Sequence, residues 1–365
     1  MPTIFVKDDL RASVEAASGG KQTVLYTAAG HPSIMNIIPA FNLEDVGPGV
    51  GTGLHPAFVV NNTNKSEIFI GTYQGIVKDG NLISLPGVTP SVSQNFDTFR
   101  AQAAANGPGW HIMSNVERSA IALWCYKNLF VPRGNNNYGR DIANAYETAR
   151  RPDGKAPGYT TSGGITLTGS GPTSWRHDNT PHGIADLNGN IWEWATGMRI
   201  VGGEIQILAN NDAADNTKDV SETSALWKAI DGATGALITP TFTGTIAGAN
   251  YVATTVNSVR YAVSGTTNYT LVCASGAAFD GMTNPGGTPV AAAAVTVMKQ
   301  HGLYPVAGTG LLSGDGFWLD VTNERVPIVG GNWSYGAGSG VFALSLNGAR
   351  SLVGNSIGAR PAYIL

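Results

Sequence analysis

Few side chains in this sequence could carry covalent or metal chemistry. Its 365 residues include two cysteines, Cys125 and Cys273, and six histidines. Two thiols cannot make a disulfide framework or a multi-cysteine metal site, although they allow one long-range bridge. The stretch Gly47-Pro48-Gly49-Val50-Gly51-Thr52-Gly53 has the glycine density of a phosphate loop. It lacks the Lys-Ser/Thr pair of such loops and runs into Leu54-His55-Pro56, so it reads as a structural turn. Asp186-Leu187-Asn188-Gly189-Asn190 superficially has the oxygen spacing of a calcium loop. Its glycine falls at the fourth position, however, and Gly197 stands where the twelfth-position Glu belongs, which again favours a turn. Beyond it, Ile191-Trp192-Glu193-Trp194 reads as a strand with two indoles on one face. Glu193, between them, needs a cationic partner if buried; Arg360 or Arg350 is expected to neutralise it.

The elements that must position these residues are partly legible. Alternation over Ala57–Tyr73 predicts two strands around the polar turn Asn61–Asn64. A helix is expected over Asn95–Ala105, with Phe96, Phe99 and Ala103 on one face. A second is expected over Asn115–Phe130, opened by Ser114 and Glu117 at capping-box spacing and burying Val116, Ala120, Leu123 and Trp124. Residues 131–180 read as long ordered loop with a short helix near Arg140–Ala149. Residues 1–54 read as a β-rich arm or assembly segment, and the Thr/Ala/Gly/Val-rich stretch 202–310 as an insertion of β character.

Composition excludes several function classes. Glycine contributes 48 residues and charged residues only 13%, which favours turn-dense structure over long helices. Eight Trp, twelve Tyr and eleven Phe argue against disorder. With 22 basic and 25 acidic residues and a net charge of -3, there is no basic footprint for nucleic acid. No run of about 18 apolar residues occurs, and Met1–Asp9 has no basic region followed by an apolar run, so neither membrane insertion nor a Sec-type signal is expected.

The segment His182-Gly183-Ile184-Ala185-Asp186-Leu187-Asn188-Gly189-Asn190-Ile191-Trp192-Glu193-Trp194 closely resembles the signature of the formylglycine-generating enzyme and sulfatase-modifying-factor family. Arg325-Val326-Pro327-Ile328-Val329-Gly330-Gly331-Asn332-Trp333 resembles that family's Gly-Gly-Ser-Trp strand, and Ile357-Gly358-Ala359-Arg360-Pro361-Ala362 its closing block. The resemblance covers about residues 55–200 and 315–365. It implies an α+β, C-type lectin fold of the formylglycine-generating-enzyme type. That fold is irregular and loop-rich, with small antiparallel sheets and two helices, here over residues 55–365 with the β-rich insertion 202–310. It also allows a structural calcium held partly by backbone oxygens.

The family's oxidases hold copper on cysteines after the Gly-Gly-x-Trp block, and residues 331–365 contain none. Related iron enzymes use a His-x3-His-x-Glu set; His177 and His182 are one residue too far apart, with Glu193 beyond them. A non-enzymatic chain without a cofactor is therefore expected, with a metal-dependent oxidase as the alternative.

From Asn332 onward the chain is dominated by Ser, Gly, Asn and Tyr, as paratopes are. This run, ending in Ile357-Gly358-Ala359-Arg360-Pro361, is similar to the variable region of diversity-generating retroelement target proteins, among them phage major-tropism-determinant proteins. In that system template adenines are miscopied, and Asn codons drift to residues such as Ser, Tyr, Gly, Val, Phe and Leu. The resemblance implies a variable region over 332–356. Its ligand-contacting positions would be Asn332, Ser334, Tyr335, Gly338, Val341, Phe342, Ser345, Asn347, Gly348, Leu352, Val353, Gly354 and Ser356. Tyr335 and Phe342 are the expected aromatic anchors. Trp192, Glu193, Trp194, Gly331, Trp333, Arg350 and Arg360 are the expected framework. The implied partner is a host surface protein or glycan receptor, bound from a phage tail tip or otherwise a cell surface. A homotrimer associated with other tail proteins is expected, with a purely structural tail component as a further alternative.

Overall fold

The computed structural model describes residues 8–246, 251–306 and 314–365; the N-terminal stretch before Asp8 and the end of the expected insertion at 307–310 lie outside them. The architecture is mixed, with short helices and small sheets. One sheet has the order β1-β2-β3-β10-β4, where β1 is Gln22–Tyr26, β2 Pro32–Pro39, β3 Glu67–Gly71, β4 Trp110–Ile112 and β10 Pro361–Tyr363. A second sheet contains β5 (Trp192–Trp194), β6 (Gly316–Leu319), β7 (Ile328–Gly330), β8 (Gly340–Leu346) and β9 (Ile357–Ala359), ordered β6-β8-β7-β5-β9. Ala277–Ala278 extends its β6 edge.

Strand β8 is buried along its whole length. Leu344 and Leu346 join the main core with Val329 and the helix α3 (Asn115–Lys127), whereas Ala343 packs with Trp192, Trp194, Ile328 and Phe96 in a second core. The register with β7 shifts between Val329 and Gly330, and beside that irregularity both Val341 and Phe342 enter the main core.

Local chemistry explains the helices. Helix α3 opens with a complete capping box, Ser114 and Glu117 each bonding the other's backbone N–H. It stops at Lys127, with Leu129 at φ 53°. Helix α2 (Phe96–Ala104) is capped by Asn95 Oδ1, which accepts from Thr98 N at 2.9 Å, and it buries Phe96, Phe99 and Ala103. The Asn61-Asn62 turn has φ of 49° and 58°, the left-handed pair that a tight two-residue hairpin requires.

Four expectations are corrected. Over residues 8–54 the expected β-rich arm is instead part of the first sheet and its covering helix: α1 (Asp9–Ser18), capped by Asp8 and closed by left-handed Gly19, leads into β1, and β2 pairs with β3 from Met35↔Gly71 to Pro39↔Glu67. Residues 140–149 form no helix. Asp141 Oδ1 accepts from Ala143 N and Asn144 N at 2.9 and 2.8 Å, side-chain bonds that compete with helical ones. The stretch 202–310 contains a helix, α4 (Ala292–Gln300), which buries Ala294 and Met298 in the main core. With α1 and α4, the described residues carry four α-helices, not two.

Between β9 and β10 the chain passes from the second sheet to the first at a single residue, Arg360. Its buried guanidinium forms a two-pronged pair with Glu193, Nε to Oε2 at 2.9 Å and Nη2 to Oε1 at 2.7 Å. Nη1 donates to Gly71 O of β3 at 2.9 Å and Nη2 to Ala185 O at 2.9 Å. Gln74 Nε2 adds a further donor to Glu193 Oε1 at 2.9 Å, and Gln74 Oε1 in turn accepts from Asn190 Nδ2 at 2.7 Å. The expected partner of Glu193 is thus Arg360. Arg350 goes elsewhere.

Arg360→Ala leaves a buried carboxylate without its partner and is expected to lower unfolding free energy by about 3–5 kcal/mol in urea titration. Acidification is expected to destabilise the fold. Burial holds His55 down at about 3, His177 at about 4 and His301 at about 4. The unfolded chain protonates these residues near pH ~6.5, so their stabilisation is full above that pH and is lost as pH falls toward 4. Burial raises Asp315 to about 7 and also raises Asp186, which works in the opposite direction with two groups against three. A melting temperature that stays level or rises from pH 6.5 to 4.5 would contradict this balance.

Candidate functional site

The second sheet turns Trp192, Trp194, Ile328 and Ala343 toward α2. Phe96 of α2 meets Trp194 edge-on at 5.9 Å. Trp192 is capped differently, by the loop that joins β7 to β8: Tyr335 lies edge-on to it at 5.2 Å and edge-on to Trp318 at 5.1 Å. The two indoles meet at 5.3 Å and 89°. Tyr335 is 43% exposed while Trp192 is buried, so a solvent-facing phenol stands on a fixed aromatic base.

That loop is tied down from below. Asn332 is buried, and its Oδ1 accepts from Ser334 N at 2.9 Å and Ser334 Oγ at 3.0 Å. Trp333 is buried; its N donates to Asn190 O at 3.2 Å and its O accepts from Tyr138 N at 2.7 Å. Gly331 sits at φ 84°, and a Cβ there would lie 2.2 Å from Ser339 Oγ, so glycine is required.

A second loop, 347–356, joins β8 to β9. Arg350 fastens it: Nε and Nη2 grip Glu324 at 2.9 and 3.0 Å, Nη1 reaches Asp97 at 2.8 Å, and the guanidinium lies 5.1 Å from the Phe96 ring centre. Arg199 adds a bond to the same Glu324 at 2.9 Å. Burial opposes ionisation of Glu324, but Arg350 and Arg199 hold its carboxyl below the ordinary range. Ser356 O accepts from Trp192 N at 2.8 Å, and Gly354 O from Ser93 N at 3.0 Å. A Cβ on buried Gly348 would meet Trp194 at 3.1 Å and Leu352 at 3.3 Å.

The sequence-predicted contact residues divide by exposure. Ser334, Tyr335, Asn347, Leu352 and Val353 are exposed, and Gly338, Gly354 and Ser356 are half-buried. Asn332, Val341, Phe342, Ser345 and Gly348 are buried, which corrects their expected display. Phe342 is no surface anchor; it stacks on Phe279 at 6.4 Å inside the core. The reason is the central place of β8, hydrogen-bonded on both edges and covered on both faces. The run Val341-Phe342-Ala343-Leu344 already carried the signal, because a continuous apolar stretch marks a strand buried on both sides. Trp318, which completes the aromatic base, was missed because its strand lies outside the motifs. The predicted framework residues Trp192, Glu193, Trp194, Gly331, Trp333 and Arg360 are all buried, and Arg350 is largely covered.

The alternative metal set is not assembled. His177 Nδ1 accepts from Ile184 N at 2.8 Å, and both Glu193 oxygens are engaged by Arg360. In the Asp186–Asn190 loop, Asp186 Oδ2 accepts from Gly169 N at 2.7 Å and Asn190 Oδ1 from Thr166 N at 2.8 Å. Among the described residues, no group of three or more His, Cys, Asp or Glu is placed to hold a metal ion. Cys125 and Cys273 are buried free thiols, so the long-range bridge is not made.

No family model and no curated protein match the chain. Among solved structures it is similar to one named Major Tropism Determinant U1 Variant, at 12% identity and a TM-score of 0.31, over 91% of this chain and 64% of that one. The chain thus spans just under two thirds of that neighbour's length.

The division by exposure makes a direct prediction about which positions tolerate exchange. Val353→Ser and Asn347→Tyr are expected to change unfolding free energy by no more than about 0.5 kcal/mol. Phe342→Ala is expected to cost about 3–5 kcal/mol, measured in the same urea titrations.

Proposed function

We propose that this chain is a non-enzymatic receptor-binding protein of a phage tail tip, built on a C-type lectin scaffold, that presents a diversified C-terminal surface to a host surface protein or glycan. One observation carries the reading. Within 332–356, side chains of exchangeable type face solvent at Ser334, Tyr335, Asn347 and Val353, while the framework residues beside them are buried and multiply hydrogen-bonded. Exchange at Ser334, Asn347 or Val353 alters what the surface can bind without removing a core contact, and exchange at Tyr335 gives up only its edge contacts with Trp192 and Trp318.

Tyr335 is the central anchor in this reading, since edge contacts with Trp192 and Trp318 fix its ring before any ligand arrives. Leu352 and Val353 supply aliphatic area, and Ser334 and Asn347 supply adaptable hydrogen bonds. Such a surface gives modest affinity per copy. A homotrimer carried with other tail proteins would multiply it through avidity.

The test is to sequence codons 326–365 and the flanking DNA across a propagated population. Adenine-directed changes concentrated at 334, 335, 347, 353 and 356, absent from 192–194, 331, 333, 350 and 360, with a template repeat and reverse transcriptase nearby, are the expected result. An unchanging segment without a template repeat would overturn the diversification. In parallel, Tyr335→Ala is expected to weaken adsorption to host cells by about tenfold or more with little change in melting temperature. Undiminished adsorption would remove Tyr335 as the anchor.

A further inference from the structure

A separate cleft of about 560 Å³ opens between the end of β2, helix α3 and the turn that follows α1. Its walls are mainly apolar, with Ile37, Ile38, Phe41, Ile121 and Trp124 among them. This size and lining suit a small organic molecule whose few polar groups fix its orientation.

The polar groups at the cleft are mostly donors. Lys21 and Lys127 both line it and are exposed. Lys21 Nζ is 3.1 Å from Asp178 Oδ2, which leaves it further protons to donate. The Asp178 carboxylate is already engaged, by that lysine and by Thr180 N and Oγ1 at 3.0 and 2.8 Å. Asn36 is engaged as well, its Oδ1 accepting from Thr72 and its Nδ2 donating to His182 O.

His177 supplies the independent observation. It is more than nine-tenths buried, lines the cleft, and packs against Trp124 at 5.1 Å. Its Nδ1 accepts the Ile184 amide at 2.8 Å, so the ring proton belongs on Nε2. Among the described residues that Nε2–H has no hydrogen-bond partner. Burial keeps the ring neutral down to about 4, so the donor persists at physiological pH.

We propose that this cleft binds a small amphipathic acid, an aromatic or compact alkyl body bearing one carboxylate. The body lies against Trp124, Phe41 and Ile38. The carboxylate accepts from His177 Nε2–H and is paired by Lys21 and Lys127. A neutral molecule of the same shape forgoes the pairing with Lys127 and leaves Lys21 with Asp178 alone, and a cation is repelled by both ammonium groups.

The experiment is calorimetric titration of the full chain with indole-3-acetate and, separately, with the neutral indole-3-ethanol. Saturable binding of the acid is expected, with the alcohol about tenfold or more weaker. Lys21→Gln/Lys127→Gln is expected to reduce the preference for the acid by about fivefold or more. Lys127→Gln alone, at an exposed helix position, gives a smaller loss in the same direction and serves if the double variant is unstable. Equal affinity for acid and alcohol, an unaltered preference in both lysine variants, or no heat with either probe at millimolar concentration each overturns the proposal. None of these outcomes bears on the C-terminal surface, which shares no lining residue with the cleft.

Discussion

The crossing of the chain between two sheets at Arg360 is the constraint on which the remaining geometry rests. β9 belongs to one sheet and β10 to the other, so the residue between them must satisfy its polar groups away from water. A guanidinium does this because its fork presents several donors in one plane. Arg360 spends them on Glu193 of the second sheet, Gly71 of the first and Ala185 of the connecting loop. An ion pair so placed adds little stability over an apolar replacement, but removing either member is costly, which makes it a fixing element. The fixed quantity is the relative placement of β3, β5 and β9.

The two C-terminal loops inherit that placement. One leaves β7 and returns as β8, the other leaves β8 and returns as β9, so each begins and ends on a strand of the pinned sheet. Each also has its own fastening: buried Asn332 and Trp333 in the first, and Arg350 gripping Glu324 and Asp97 in the second. Side chains between these fastenings carry little of the folding energy. That separation lets a loop of Ser, Gly, Asn and Tyr be ordered by its fastenings and not by its exposed side chains.

Much of this organisation was legible in the sequence where one residue type admits one solution. Glu193 between two tryptophans demanded a buried cation, and Ser114 with Glu117 announced a helix start that the capping box fulfils. The polar run Asn61–Asn64 implied a turn between two strands, which Asn61 and Asn62 make while Thr63 and Asn64 already belong to the return strand. Less legible were elements whose burial is decided by distant partners. β2 gains its place by pairing with β3, and Ala292–Gln300 has no N-cap side chain and owes its burial to the main core. Near Arg140–Ala149 the local composition suggested a helix, but Asp141 offers the backbone a better bond. Burial within 332–356 was less legible, because resemblance to a variable region marks positions without saying that β8 draws Val341, Phe342 and Ser345 inside.

The segment 183–186 shows how one stretch of chain serves two surfaces. Ala185 O receives Arg360, which secures the strand pair beneath the C-terminal loops. One residue earlier, Ile184 N donates to His177 Nδ1, which selects the imidazole tautomer of a ring that lines the cleft beside Trp124. Gln22 and Asn36 hold the same segment from the other side through His182 O, at 2.9 and 2.8 Å. A change that loosens 183–186 would therefore disturb the indole base under Tyr335 and the donor at the cleft together, whereas changes at Val353 or Lys127 touch one surface and leave the other intact. The fold thus couples the two C-terminal loops and the cleft through their support while keeping their exposed residues apart.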